Sequence, residues 1–214
     1  MKKQFLALLC IFAMNSIVIA DDLETYLKEK EAEVDSASKR KNEARAVESF
    51  RKTAEQGDAK AQVKLGIAYA TGEGIVKDEA QAVVWFRKAA EQGDAKAQVN
   101  LGNMYSEGKG IMRDEARAVE WYRKAAEQGD AKAQYNLGIA YAMGEGILKD
   151  EAQSVVWFRK AAEQGLADAQ YNLGVAYAEG KGITKDDTQA VAWFQKAAEQ
   201  GDPDAQANLR QLSK

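Results

Sequence analysis

Ser36 and Lys39 stand in an S-x-x-K arrangement, the spacing with which a serine nucleophile and a lysine perform acyl transfer in penicillin-recognising enzymes. That chemistry also needs S-D-N and K-T-G partners, and neither tripeptide occurs in the chain. Ser36 lies in the polar stretch 35–42, which reads as a solvated linker. There is no His and only one Cys. This excludes Ser-His-Asp and Cys-His nucleophiles, His-ligated zinc, a histidine pH switch and a disulfide framework. Four G-x-G segments (72–74, 108–110, 144–146, 180–182) lack the third glycine and preceding strand of a dinucleotide fingerprint. Gly180-Lys181-Gly182 also lacks the hydroxyl residue and loop length of a P-loop. Each of these connectors offers only about two carboxylates, too few for a calcium cage. The net charge of −3 gives no electrostatic reason to bind nucleic acid. Neither catalysis nor a cofactor is expected.

The residues that do recur belong to a repeat. Trp85, Trp121, Trp157 and Trp193 are spaced 36 apart, and the glycines follow the same period. Residues 57–92 and 129–164 differ at only five positions. Each unit reads as two helices. Helix A of the first unit starts after Asp58, an N-cap, and carries Ala61, Leu65, Ala68 and Tyr69 on one face. Gly72 ends it as a left-handed C-cap. Asp78 caps helix B, with Gln81 in the place of a capping-box partner. Helix B buries Ala82, Trp85, Phe86 and Ala89, so the Trp-Phe/Tyr pairs read as core rather than a platform for bases. Pro203, the only proline, falls at the first position of the closing helix, where its missing N–H costs nothing. Gly66, Gly102, Gly138 and Gly174 fall inside helix A, and close approach of two helix backbones is the expected reason. Arg210 takes that register in the closing unit, which has no helix B.

The first twenty residues read as a secretory signal. Lys2 and Lys3 precede an apolar run from Phe5 to Met14, and Val18 and Ala20 occupy the −3 and −1 positions of a cleavage site. An uncleaved anchor is the alternative, although the run is short for a membrane span. Cys10 belongs to the apolar run, because Leu8 and Leu9 before it do not suit lipidation. Cleavage after Ala20 leaves a chain of net charge −5 without cysteine, expected in the periplasm or secreted, with no stable membrane insertion. The charged segment 21–42 contains Leu23, Tyr26 and Leu27. It reads either as a short helix capping the stack or as a disordered tail. The repeat region runs from 43 to 214: a half-unit 43–56, full units 57–92, 93–128, 129–164 and 165–200, and a closing half-unit 201–214.

The unit AEQGDAKAQYNLGIAYAMGEGILKDEAQSVVWFRKA resembles the Sel1-like repeat, a relative of the tetratricopeptide repeat. The resemblance rests on A-x-x-x-L-G-x-x-Y in helix A, the two-glycine connector followed by a basic residue and Asp, and A-x-x-W-[FY]-x-K-A-A in helix B. It implies an all-α, right-handed α/α superhelix, a solenoid of 36-residue helix-turn-helix units that binds protein or peptide along its inner helix A surface. Exported cysteine-rich members carry a disulfide in each unit, and this sequence departs from them. Some of those relatives act on β-lactams, so a β-lactam- or cell-wall-acting enzyme is one alternative. A structural part of an envelope assembly, such as polysaccharide export, is another.

On the helix A face implied to be inner, Lys64, Asn100, Asn136, Asn172 and Asn208 form a polar row. An amide both donates and accepts, so such a row suits the backbone of an extended peptide. In related tetratricopeptide domains an Asn at this register contacts peptide. A second row runs Lys60, Lys96, Lys132, Asp168, Asp204, basic and then acidic, and could orient a ligand with a carboxylate end. Asn103 joins the same face in the second unit. The amides could instead bond to the adjacent helix. The sequence leaves the partner and the oligomeric state open.

Overall fold

The computed structural model describes residues 28, 30 and 32–212. The signal segment with Cys10, and most of the stretch containing Leu23, Tyr26 and Leu27, lie outside the described residues. Among the described residues the chain is helical, without strands. Helix α1 covers residues 32–55. It is followed by α2 (Ala59–Thr71), α3 (Glu79–Glu91), α4 (Ala95–Glu107), α5 (Glu115–Glu127), α6 (Ala131–Met143), α7 (Glu151–Glu163), α8 (Ala167–Glu179), α9 (Asp187–Glu199) and α10 (Pro203–Leu212). Even-numbered helices are helix A of successive units and odd-numbered ones helix B. Each packs on its sequence neighbours, α2 on α3, α3 on α4 and onward to α10. The result is an α/α solenoid whose core is a continuous row of small clusters, as expected when a unit cannot bury its apolar face alone.

The joint from helix B to helix A explains the recurring Gly-Asp pair. At the end of α3, Gly93 is left-handed with φ 92° and its N–H donates to the Ala90 carbonyl. The Asp94 N–H reaches back to the Ala89 carbonyl, which completes a Schellman motif. The Asp94 carboxylate then accepts from the Ala97 N–H at 2.9 Å and caps α4. One residue thus closes one helix and opens the next. Asp58, Asp130 and Asp202 do the same, and Pro203 is the first residue of α10. Leu166 holds this register in the fourth unit and makes no side-chain cap. Replacing Asp130 by Ala should lower stability by about 1 kcal/mol, read from the midpoint of urea unfolding at unchanged slope.

Between helix A and helix B, the capping box is only half formed. The Asp78 carboxylate accepts from the Gln81 N–H at 3.0 Å. Its own N–H, which a Gln81 side chain would need, donates instead to the Tyr69 carbonyl at 2.9 Å and fixes the connector against the end of α2. Asp114, Asp150 and Asp186 repeat this bond.

The aromatic pairs divide their work. Phe86, Tyr122, Phe158 and Phe194 are buried. Trp85 is buried as well, but Trp121, Trp157 and Trp193 are half exposed. Lys88, Lys124, Lys160 and Lys196 place their ammonium groups 3.8–4.1 Å from the tryptophan ring centroids.

The expected backbone contact at the mid-helix glycines is corrected. A Cβ on Gly66 or Gly138 would meet a ring carbon of Phe86 or Phe158 at 2.6 Å, so an aromatic ring from helix B lies on the glycine. The close backbone approach is found at the second connector glycine. There, the backbone of Gly110 or Gly146 lies against the first peptide of the preceding helix B, at Glu79 or Glu115.

A ladder of amides, not expected from the sequence, joins the units. Gln62, Gln98, Gln134 and Gln170 are buried, and each donates to the carbonyl eight residues earlier in the preceding helix. Each also accepts from a glutamine thirty residues later, Gln92, Gln128, Gln164 or Gln200, at 2.7–2.8 Å. The signal was present: a polar residue recurs on the apolar face of every helix A.

Candidate binding groove

The first turns of helix A in successive units build a groove. Its wider part, about 610 Å³, is framed by Lys60, Lys64, Lys96 and Asp130 over a floor of Val63 and Ile67. It continues into a space of about 400 Å³ beside Val99, Asn100 and Lys132. Lys60, Lys96 and Lys132 are exposed, and among the described residues none of them pairs with a carboxylate. The carboxylates that line the groove, Asp94 and Asp130, are committed to the N–H groups of Ala97 and Ala133. The groove therefore presents free ammonium groups above valine and isoleucine side chains.

Five of the nine residues expected at a binding site meet here: Lys60, Lys64, Lys96, Asn100 and Lys132. The other four do not. Asn103 accepts from the Tyr122 hydroxyl at 2.8 Å and from Asn136 Nδ2 at 3.3 Å. Asn172 donates to the Asp168 carbonyl at 3.0 Å and points towards the Tyr135 hydroxyl at 3.4 Å. Asn208 sits 3.5 Å from the Tyr171 hydroxyl. The polar row thus splits. In its later half the amides bridge to the preceding helix A, whereas Asn100 makes no side-chain hydrogen bond among the described residues.

Two registers explain the split. Val63 and Val99 stand where the later units have Tyr135 and Tyr171. The valines leave space and offer no hydroxyl; the tyrosines fill the space and engage Asn172 and Asn208. Asn136, which follows Val99, is held instead by Asn103, where the other units have Ile67, Ile139 and Val175. Burial pushes the Tyr135 hydroxyl above its ordinary pKa, and the nearby Asp168 carboxylate adds to this. The tyrosine side of the stack is therefore packed and acidic, and the valine side open and basic.

The S-x-x-K residues lie far along the chain from this groove, on α1. The Ser36 hydroxyl donates to the Glu33 carbonyl at 2.8 Å, and Lys39 faces Glu43 at 3.8 Å. Residues 35–42, expected as a solvated linker, are mostly exposed turns of the same continuous helix. Among the described residues no helix is long and apolar enough to cross a membrane.

Comparison with known proteins agrees with this architecture. The Sel1 repeat model matches at 37–58, 59–94, 95–130, 131–166 and 167–202. A Sel1 repeat protein from Oxalobacter formigenes is 40% identical over 80% of this chain and 68% of its own, with a TM-score of 0.74. A protective antigen present in uropathogenic Escherichia coli strains, displaying an SLR fold, is 48% identical over 74% of this chain, with a TM-score of 0.73. The match spans only 34% of that antigen. Cysteine rich protein B of Helicobacter pylori is 26% identical over 62% of this chain and 96% of its own, with a TM-score of 0.50. No curated protein matches the sequence. Sel1 repeats form a scaffold fold that commonly mediates protein binding, and with five matched repeats across residues 37–202 the chain belongs to the Sel1 repeat family.

Proposed function

We propose that the chain is an exported, non-catalytic adaptor that binds a protein or an extended peptide in the groove over the first turns of α2, α4 and α6. The periplasm or the outside of the cell is its place of action, on the strength of the leader in residues 1–20. The observation that carries the binding reading is the set of unpaired lysines, Lys60, Lys96 and Lys132, around a groove floored by aliphatic side chains. Ammonium groups above an apolar floor suit a peptide with acidic or carboxylate-terminal character and aliphatic side chains.

Fluorescence anisotropy with a labelled Glu-Leu-Glu-Val-Glu peptide tests this. Binding should weaken as salt rises, and the triple variant Lys60→Glu, Lys96→Glu, Lys132→Glu should bind at least ten-fold more weakly while keeping its helical circular dichroism. Asn100→Ala should weaken binding a few-fold without moving the unfolding midpoint. Asn172→Ala should leave binding unchanged and cost less than about 1 kcal/mol of stability. Equal affinity of the triple variant and the parent would remove the lysines from the site.

A further inference from the structure

A second kind of pocket lies between units, where one helix packs on helix A of the next unit and on its connector. Such pockets open between α1 and α2, between α5 and α6, and between α7 and α8, with volumes of about 290, 170 and 280 Å³. They share a plan. Each is lined by a glutamate of the earlier helix (Glu43, Glu115 or Glu151), the central connector residue of the next unit (Glu73, Glu145 or Lys181) and an aromatic ring (Phe50, Tyr122 or Phe158).

The connector residue alternates along the chain: Glu73, Lys109, Glu145, Lys181. In three of the four junctions the chain supplies a lysine. Lys64 lines the first pocket, its ammonium 4.8 Å from the Phe50 centroid. At the second junction Lys109 pairs with Glu107 and also feels Glu79, which together hold its ammonium above the ordinary pKa. At the fourth, Lys181 pairs with Glu179 and feels Glu151, with the same effect. The third junction, between α5 and α6, has no lysine or arginine in its lining.

That third pocket is also the polar one. Tyr122 replaces the phenylalanine of the other units, and Ser106 lies 3.3 Å from its hydroxyl. The hydroxyl donates to Asn103 at 2.8 Å. Asn136 donates to Asn103 and keeps its own carbonyl oxygen. Glu115 is bound by Arg113 at 2.5 Å, as Glu151 is by Lys149 at 2.9 Å in the next unit. Glu145 has no ion-pair partner among the described residues. The walls are Val119 and Ile139. Carboxylate and amide oxygens at the polar end, with an aliphatic wall beside a ring, match an ammonium on an alkyl stem.

We propose that the pocket between α5 and α6 receives a lysine side chain of a protein partner, whose ammonium lies beside Glu145, as the chain's own Lys181 lines the corresponding pocket between α7 and α8. The inference stands apart from the lysine-lined groove, since it involves a separate cavity and the opposite charge.

Amide cross-peaks of the labelled mature chain, followed by NMR during titration with N-acetyl-lysine N-methylamide, provide the test. The lysine compound should shift Ser106, Asn136 and Glu145 saturably, and the uncharged norleucine analogue should not. Glu145→Gln should weaken the effect at least three-fold. Glu145→Lys, which restores the pattern of the neighbouring junctions, should abolish it, with spectral dispersion reporting that the variant is folded. Glu73→Gln, in the pocket that already holds Lys64, should leave the titration unchanged. Equal shifts from both compounds, no shift from the lysine compound, or unaltered binding by a folded Glu145→Lys variant would each overturn the proposal.

Discussion

Replacing Gly146 by Ala should destabilise the stack by about 3 kcal/mol or more, whereas Gly129→Ala should cost about 1 kcal/mol. Both residues are left-handed, with φ 68° and 94°. Backbone conformation alone would therefore give them similar penalties. Their surroundings differ. A Cβ on Gly129 meets nothing within 4 Å. A Cβ on Gly146 would lie well inside van der Waals contact of the Glu115 carbonyl and the Ala116 nitrogen. Those atoms form the first peptide of α5 and cannot retreat as a flexible side chain would. Relief requires the third connector to lift away from the second unit. In a solenoid each unit is held only by its neighbours, so a forced junction weakens the whole array at one point. Unfolding of Gly146→Ala by urea should lose its single transition, and amide exchange should quicken first at residues flanking that junction. Equal midpoints for the two variants would mean that the connector contact contributes nothing to stability.

What the sequence could disclose follows from how far each device reaches. Asp58, Asp94, Asp130 and Asp202 were legible as caps because a cap needs only residues two or three positions away. The same holds for Pro203 and for the left-handed glycines that end each helix A. The 36-residue period made the unit visible, and the resemblance supplied its arrangement in space. Devices that join units were harder to read. Gln62 and Gln92 meet at 2.7 Å across thirty residues, and neither announces the other. Gly74 and its counterparts belong to the two-glycine connector, although their tighter constraint is the backbone of the preceding unit. Among the candidate site residues, Lys60, Lys96 and Lys132 kept the exposure that a charged row on one helix face implies. Asn100, Asn172 and Asn208 divided, because their fate depends on whether Val or Tyr stands thirty-seven residues earlier, whereas Asn136 follows Val99 and is held by Asn103. That comparison was available in the sequence, at Val63, Val99, Tyr135 and Tyr171, but it requires knowing that those positions face the amides.

Gly138→Ala provides the second large effect, and its sign separates two forces. On helix propensity alone, alanine should stabilise α6 by about 1 kcal/mol. The added Cβ, however, would stand 2.6 Å from Phe158 Cδ1 and 3.3 Å from Cγ, so the near edge of the ring and its root both have to move. The ring also packs against Tyr135, with centroids 5.8 Å apart, and is 5% exposed. Overpacking of that kind costs about 1–3 kcal/mol and can exceed it, so a net loss of about 2 kcal/mol is expected. Phe158→Leu should be destabilising by itself, since it shortens a buried side chain. In the double variant the smaller side chain accommodates the new methyl group, and the combined loss should fall short of the sum by about 0.5–3 kcal/mol. Urea midpoints of the two single variants and the double variant measure that coupling. Arg210 occupies the glycine register in α10, and among the described residues no ring of a later helix lies upon it. A stabilised Gly138→Ala variant would show that the ring yields at no cost, and the glycine at every helix A would then need another explanation.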